Sequence, residues 1–202
     1  MSVVDAVKEA LKSPERKFDE TVDLCINLRN IDMRQPQNRI NEDIVLPNSF
    51  RKAKVCAFAS GEMGIKAKEF GAHVISPEEI PKLDKKKGRE LAKKYDFFVA
   101  EAQLMPQIGK ILGPILGPRG KMPDPVPPQA DITQIMERLQ KTVRVRAKEK
   151  TFHLPVGKKS MDPEKIAENI ETVIKKIESR VDKSNIDSVY VKTTMGSAVR
   201  VE

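Results

Sequence analysis

The residue types that do chemistry are sparse in this chain and lie far apart. His73 falls in the apolar run Ala72-His73-Val74-Ile75, where a core or rim histidine is expected rather than a base. His153 has no Ser, Cys or acid at a spacing that marks a triad. Cys25 and Cys56 give neither a disulfide framework nor metal-ligand spacing, so no metal site is expected. Ser60-Gly61-Glu62-Met63-Gly64 follows a strand pattern and opens a helix pattern, as a phosphate loop would. It lacks the third Gly of a dinucleotide fingerprint and the Lys-Ser/Thr of a P-loop. No catalytic residue and no cofactor is therefore expected. What remains is chemistry toward polyanions. Lys85-Lys86-Lys87-Gly88-Arg89 would add salt-dependent, sequence-blind attraction to a nucleic acid. Tyr190-Val191-Lys192-Thr193-Thr194-Met195-Gly196-Ser197 puts hydroxyls, a Met and a Gly at a strand end. Ser and Thr pair with phosphates and 2′-hydroxyls, and Met lies flat on a ribose or base. By pattern alone, a plain strand end with a bulge is the simpler reading.

A third candidate is the stretch 109–128, which holds four Gly and six Pro and the tandem Ile111-Leu112-Gly113-Pro114, Ile115-Leu116-Gly117-Pro118. Each Pro removes a donor and fixes φ, and each Gly admits positive φ. The spacing predicts an ordered loop through which no helix or central strand runs, anchored by Ile and Leu, with Arg119 and Lys121 as a basic tip.

These candidates need elements to hold them. Residues 2–11 read as a short amphipathic helix stopped by Ser13-Pro14. Over 17–28 the period switches to two, with Phe18, Val22, Leu24, Ile26 and Leu28 on one side. Glu20 breaks that pattern, a carboxylate on the apolar side. A second strand is expected over 43–46. From Lys54 the grammar becomes strand–helix alternation: strands over 55–59, 72–75 and 95–100, helices after Ser60, after Pro77 and over 85–94. A helix over 131–140 and the alternating Val143 and Val145 follow. This implies a three-layer α/β unit with a parallel sheet. After Lys150 come a strand over 151–156, a long helix with Ile166, Ile170, Val173, Ile174, Ile177 and Val181 on its core face, and strands over 186–194 and 198–201. One helix and two strands at the start are too few to bury a face alone. The expected architecture is an α+β outer domain, a discontinuous two-layer sandwich of residues 1–52 and 151–202, with a three-layer α/β domain inserted at 53–150. Two crossings at one junction would make a hinge.

The net charge is +8. Residues 52–150 carry 20 Lys/Arg against 12 Asp/Glu, and the flanks carry 17 of each, so the whole excess falls in the middle. Such a balance favours a nucleic-acid partner. No apolar run approaches a membrane span, the start lacks a signal-peptide core, and the thiols suit a reducing compartment. A cytoplasmic protein with no membrane partner is expected. A nucleotide-dependent enzyme and a protein-only scaffold stand as the competing classes.

Four segments together resemble the ribosomal protein L-one family, of the archaeal type. They are Lys17-Phe18-Asp19-Glu20-Thr21-Val22, the run from Ile115 through Arg119, Gly120 and Lys121 to Pro123, Val156-Gly157-Lys158, and Ser188 through Gly196. The resemblance implies a Rossmann-like insert and no enzymatic activity. It implies a cytoplasmic protein of the large ribosomal subunit that binds large-subunit ribosomal RNA at the mobile stalk. It implies assistance to release of deacylated tRNA from the exit site, repression of its own messenger through a similar RNA fold, and a monomer when free of the ribosome. The RNA site it implies is Lys17, Phe18, Glu20, Thr21, Lys158, Lys192, Thr193, Thr194, Met195 and Gly196, with Arg119 and Lys121 as a secondary contact. Charge bookkeeping and resemblance then disagree, because the implied site lies on the neutral domain.

Overall fold

The computed structural model describes residues 2–127 and 130–201. Pro128, which ends the Gly/Pro stretch, lies outside them with Gln129 and the two terminal residues. In chain order the elements are α1 (Val3–Leu11), β1 (Thr21–Leu28), β2 (Ile40–Val45), β3 (Val55–Phe58), α2 (Gly61–Glu69), β4 (His73–Ile75), α3 (Lys85–Lys94) and β5 (Phe97–Glu101). There follow α4 (Met105–Ile111), α5 (Gly113–Leu116), β6 (Asp124–Val126), α6 (Ile132–Gln140), β7 (Thr142–Ala147), β8 (Thr151–Lys158), α7 (Pro163–Glu178), β9 (Ile186–Thr193) and β10 (Val199–Arg200). The chain divides into two compact units, Met1–Arg51 with Lys141–Glu202, and Lys52–Gln140.

In the first unit four strands form an antiparallel sheet in the order β10-β9-β1-β8. Val22, Leu24, Ile26 and Leu28 alternate inward along β1 and are buried. They meet Ile166, Ile170, Val173 and Ile177 of α7 and Ala6, Val7 and Ala10 of α1 in one core. Gly157 of β8 lets α7 approach closely, since a β-carbon there would stand 2.9 Å from Ile166 Cγ1. Pro155 sits in β8, an edge strand, where its missing donor costs no ladder bond on the open side.

Residues 142–147, expected in the insert, belong to this first unit. β7 pairs antiparallel with β2 in a separate two-stranded sheet, Ile40 opposite Ala147 through Val45 opposite Thr142. Val143, Val145 and Ala147 join Ile40 and Ile44 in the first unit's core. On the outer side Arg144 grips Asp43, directly opposite, through two bonds of 2.7 and 2.8 Å. The second crossing therefore falls at 140–141, about ten residues earlier than the change of pattern suggests. Residues 52–140 carry 15 Lys/Arg against 11 Asp/Glu, and the rest of the chain 22 against 18. Each unit has a net of +4, so the charge imbalance that opposed the implied site disappears.

The second unit holds a parallel sheet, β4-β3-β5-β6. β3 and most of β5 are buried on both faces, as parallel strands are when helices cover both sides. Val55, Ala57, Phe97 and Val99 face Ala67 of α2 and Ile132, Met136 and Leu139 of α6. Phe58 and Phe98, their rings 6.2 Å apart, face Ala92 of α3, Ile108 of α4 and Leu116 of α5.

The Gly/Pro stretch is not a loop without helix. α4 and α5 run through 105–116, because Pro106 and Pro114 lie in their first turns, where the missing donor has no helical acceptor to lose. Pro125 lies in β6, at the sheet edge. The apolar anchoring holds: Leu112 and Leu116 are buried.

Candidate nucleic-acid interface

Because β8 and β9 both run antiparallel to β1, their C-terminal ends flank its start. Three loops meet there: 12–20 before β1, 159–162 after β8 and 194–198 after β9. A register shift at Val22/Asp23 against β8 bends this end of the sheet.

Glu20 is the centre of the ledge so formed. It is fully buried. Its Oε1 accepts the Met195 amide at 2.9 Å, and its Oε2 faces Lys159 Nζ at 3.3 Å. The Met195 amide, opposed by burial and aided by Lys159 and Arg16, holds the carboxyl below the usual carboxylate range. Lys159 Nζ also donates to the Ser13 carbonyl at 2.6 Å, the Ser13 hydroxyl at 3.0 Å and the Pro14 carbonyl at 3.0 Å. The Ser13 hydroxyl lies 3.1 Å from Thr193 Oγ1. All three loops are thus tied to one buried carboxylate–ammonium pair.

The outer surface of the ledge is apolar at two points. Phe18 is 54% exposed and Met195 61% exposed. Phe18 therefore does not continue the inward row of β1, which begins at Thr21. Thr194 is exposed, and its backbone N–H donates to the Thr21 carbonyl at 3.0 Å while its hydroxyl accepts the Thr21 amide at 3.2 Å. Lys17 is exposed. Lys158 reaches the Asp19 carbonyl at 3.3 Å and lies 3.7 Å from its carboxylate. Lys192 lies on the sheet's other face, opposite Asp23. Burial pushes the Asp23 carboxyl up, against the pull of His153 and Lys192.

Two residues of the implied site, Glu20 and Thr193, are fully buried and hold the ledge from beneath. Gly196 is required by the protein itself: a β-carbon there would collide with the Thr193 hydroxyl and stand 3.2 Å from Ser13 Cβ. Arg119 and Lys121 lie in the other unit, and both serve α3. Lys121 Nζ donates to the Ala92 carbonyl at 3.0 Å and the Tyr95 carbonyl at 2.7 Å, and Arg119 to the Arg89 carbonyl at 3.3 Å. Lys159 and Ser13 are the members that the sequence does not mark. Their partners lie 139 or more residues away, and no local spacing signals them.

At the Ser60 turn, the Glu101 carboxylate accepts the Ser60 amide at 2.5 Å and its hydroxyl at 3.1 Å. An acid stands where a phosphate loop would receive a phosphate. His73 stacks on Tyr95 with ring centres 5.3 Å apart, a rim residue. Among the described residues no cluster of His, Cys, Asp and Glu could hold a metal ion, and no helix is long and apolar enough to cross a membrane.

The fold and the ledge define a mixed α/β protein of several sheets, with two exposed apolar groups, Phe18 and Met195, on loops tied to a buried ionic pair. The chain belongs to the ribosomal protein L1p/L10e family, whose model matches residues 8–197. It is 53% identical over 206 residues to the large ribosomal subunit protein uL1 of Methanocella arvoryzae, covering 98% of this chain and 97% of that one. It is 51% identical to the uL1 of Methanothrix thermoacetophila, covering 99% and 98%. To that of Archaeoglobus fulgidus it is 49% identical, covering 98% and 96%.

Proposed function

We propose that this protein is a non-enzymatic constituent of the large ribosomal subunit, in the cytoplasm, that binds large-subunit ribosomal RNA through the ledge. The carrying observation is the pair Phe18 and Met195, more than half exposed on loops pinned by the Glu20–Lys159 network. Large apolar side chains held out in water suit stacking on an unpaired base or ribose. Thr194, Lys17, Thr21 and Lys158 add donors and charge at this end of the sheet, and Lys192 adds charge on the sheet's other face. Glu20, Thr193 and Gly196 act from beneath, by fixing the 194–196 turn. The names of the relatives support the ribosomal assignment. The same surface is the one proposed to bind the protein's own messenger and so repress its translation. Release of deacylated tRNA from the exit site, and a monomeric state off the ribosome, are part of the same reading. So is the architecture of an α+β sandwich carrying a three-layer, Rossmann-like insert.

The test is a salt titration of binding to large-subunit ribosomal RNA fragments and to random duplex RNA. Met195→Ala and Phe18→Ala should each weaken cognate binding by roughly 1–3 kcal/mol, the range for one good specific contact. Neither should change the slope of log affinity against log salt, since both residues are uncharged and neutralise no phosphate. Wild-type affinity in both variants would remove the ledge from the interface. Gly196→Val is not a clean probe, because it clashes inside the protein.

A further inference from the structure

We infer that helix α3 is a second RNA-docking surface, one that takes the phosphate backbone of duplex RNA without reading sequence. α3 carries Lys85, Lys86, Lys87, Arg89, Lys93 and Lys94 against the single acid Glu90, and all seven are exposed. Elsewhere individual helix lysines are paired within their own helix: Lys66 with Glu62 at 2.9 Å in α2, and Lys175 with Glu171 at 3.7 Å in α7. Among the described residues no ion pair engages Lys85, Lys86, Lys87, Arg89 or Lys93. Lys86, Arg89 and Lys93 follow one another at i, i+3 and i+7, a ridge along one face about 10 Å long. Like charges so spaced repel; Glu90 is the one acid of the helix, and among the described residues no ion pair ties it to them.

The rest of the second unit is built to hold this helix out. Gly88 presses α3 onto the tandem Ile-Leu-Gly-Pro segment: a β-carbon at Gly88 would stand 2.8 Å from Ile115 Cδ1 and 2.9 Å from Leu112 Cδ2. Lys121 caps the last carbonyls of α3, where the helix dipole is negative, so that end also presents positive charge. The Gly/Pro stretch thereby acquires a role, as the mount of a basic helix. The chemistry of the occupant follows from what α3 lacks. None of the large exposed apolar side chains, Phe18, Val45, Ile65, Met122 and Met195, lies on it. A surface of cations without stacking groups suits the backbone of a duplex, whereas single strands are held on aromatic platforms.

The inference does not rest on the ledge, and the two fail separately. The full chain is titrated with a random-sequence RNA duplex and with the ribosomal RNA fragment, over a range of salt. In the Lys86→Gln/Arg89→Gln/Lys93→Gln variant, affinity for the random duplex should fall at low salt. Its salt slope should become shallower by up to ~0.9 for each phosphate that is no longer neutralised. Preference for the cognate fragment over random duplex should be retained. A charge-matched control, Lys66→Gln/Lys175→Gln/Lys176→Gln, should keep the wild-type slope. Each single α3 substitution should give a share of the change, so the result stands if the triple variant folds poorly. An unchanged slope overturns the inference, as does an equal change in the control, which would make the effect one of net charge. Loss of polyglutamate binding with duplex binding intact also overturns it, in favour of an acidic protein partner.

Discussion

Glu20 is a buried carboxylate whose charge is satisfied by a backbone amide and an ammonium, and both partners belong to loops that would otherwise be free ends of strands. Its ionisation is therefore linked to folding. The native carboxyl titrates below its ordinary value of 4.5, so it contributes stability above that value. That contribution is lost as pH falls through the lowered native value. Glu20→Gln keeps an oxygen for the Met195 amide but loses the charge that faces Lys159. The variant should be less stable than wild type near neutral pH, and the gap should narrow as pH falls below the ordinary value of 4.5. Urea midpoints at several pH values read this directly. A gap constant across those pH values would mean that Glu20 is protonated or unpaired in the native protein. The same variant should bind the ribosomal RNA fragment more weakly than its distance from solvent would suggest, since Met195 depends on Glu20 for its position.

At the scale of elements, close approach is what the glycines supply. Gly157 lets α7 lie on β8, and Gly157→Ala should cost roughly 1–3 kcal/mol through the forced contact with Ile166. Ile166→Ala alone should cost roughly 2–5 kcal/mol as a cavity. The double variant should cost less than the sum, because the added methyl enters the space vacated. Strict additivity in a denaturant-melt cycle would show that the two do not touch. The same scale shows what can be read in the sequence. β1 is legible because Val22, Leu24, Ile26 and Leu28 alternate, and α7 because its Ile and Val recur on one face. Glu20 stands out as an exception in that alternation, yet the reason for it, Lys159, is a long-range partner. α4 and α5 are hidden because Pro reads as a helix breaker unless its place in the first turn is known. Phe18 reads as core because the alternation extends past the point where the strand begins.

At the scale of the whole molecule, β7 decides where the chain can be cut. Its alternation marks it as a strand, but alternation does not name a partner, and the rhythm that precedes it points to the wrong unit. Among the described residues β2 is hydrogen-bonded in its sheet to β7 alone. Val143, Val145 and Ala147 are buried in the first unit's core beside Ile40 and Ile44. Two deletions therefore separate the readings. Removing 52–140 and joining Arg51 to Lys141 through a short Gly/Ser linker keeps β7, and Leu46 already bonds to the Lys141 carbonyl at 2.9 Å, so the ends are near. This product should unfold cooperatively and bind the ribosomal RNA fragment, because every member of the ledge is retained. Removing 53–150 instead strips β2 of its ladder and leaves Ile40, Ile44 and Leu46 facing water. Each such side chain forfeits roughly 1.5–3 kcal/mol of burial, together comparable with the whole stability of a small domain. That product should lack a cooperative thermal transition. Equal melting of the two would mean that β7 is dispensable and that the first unit closes its core without it.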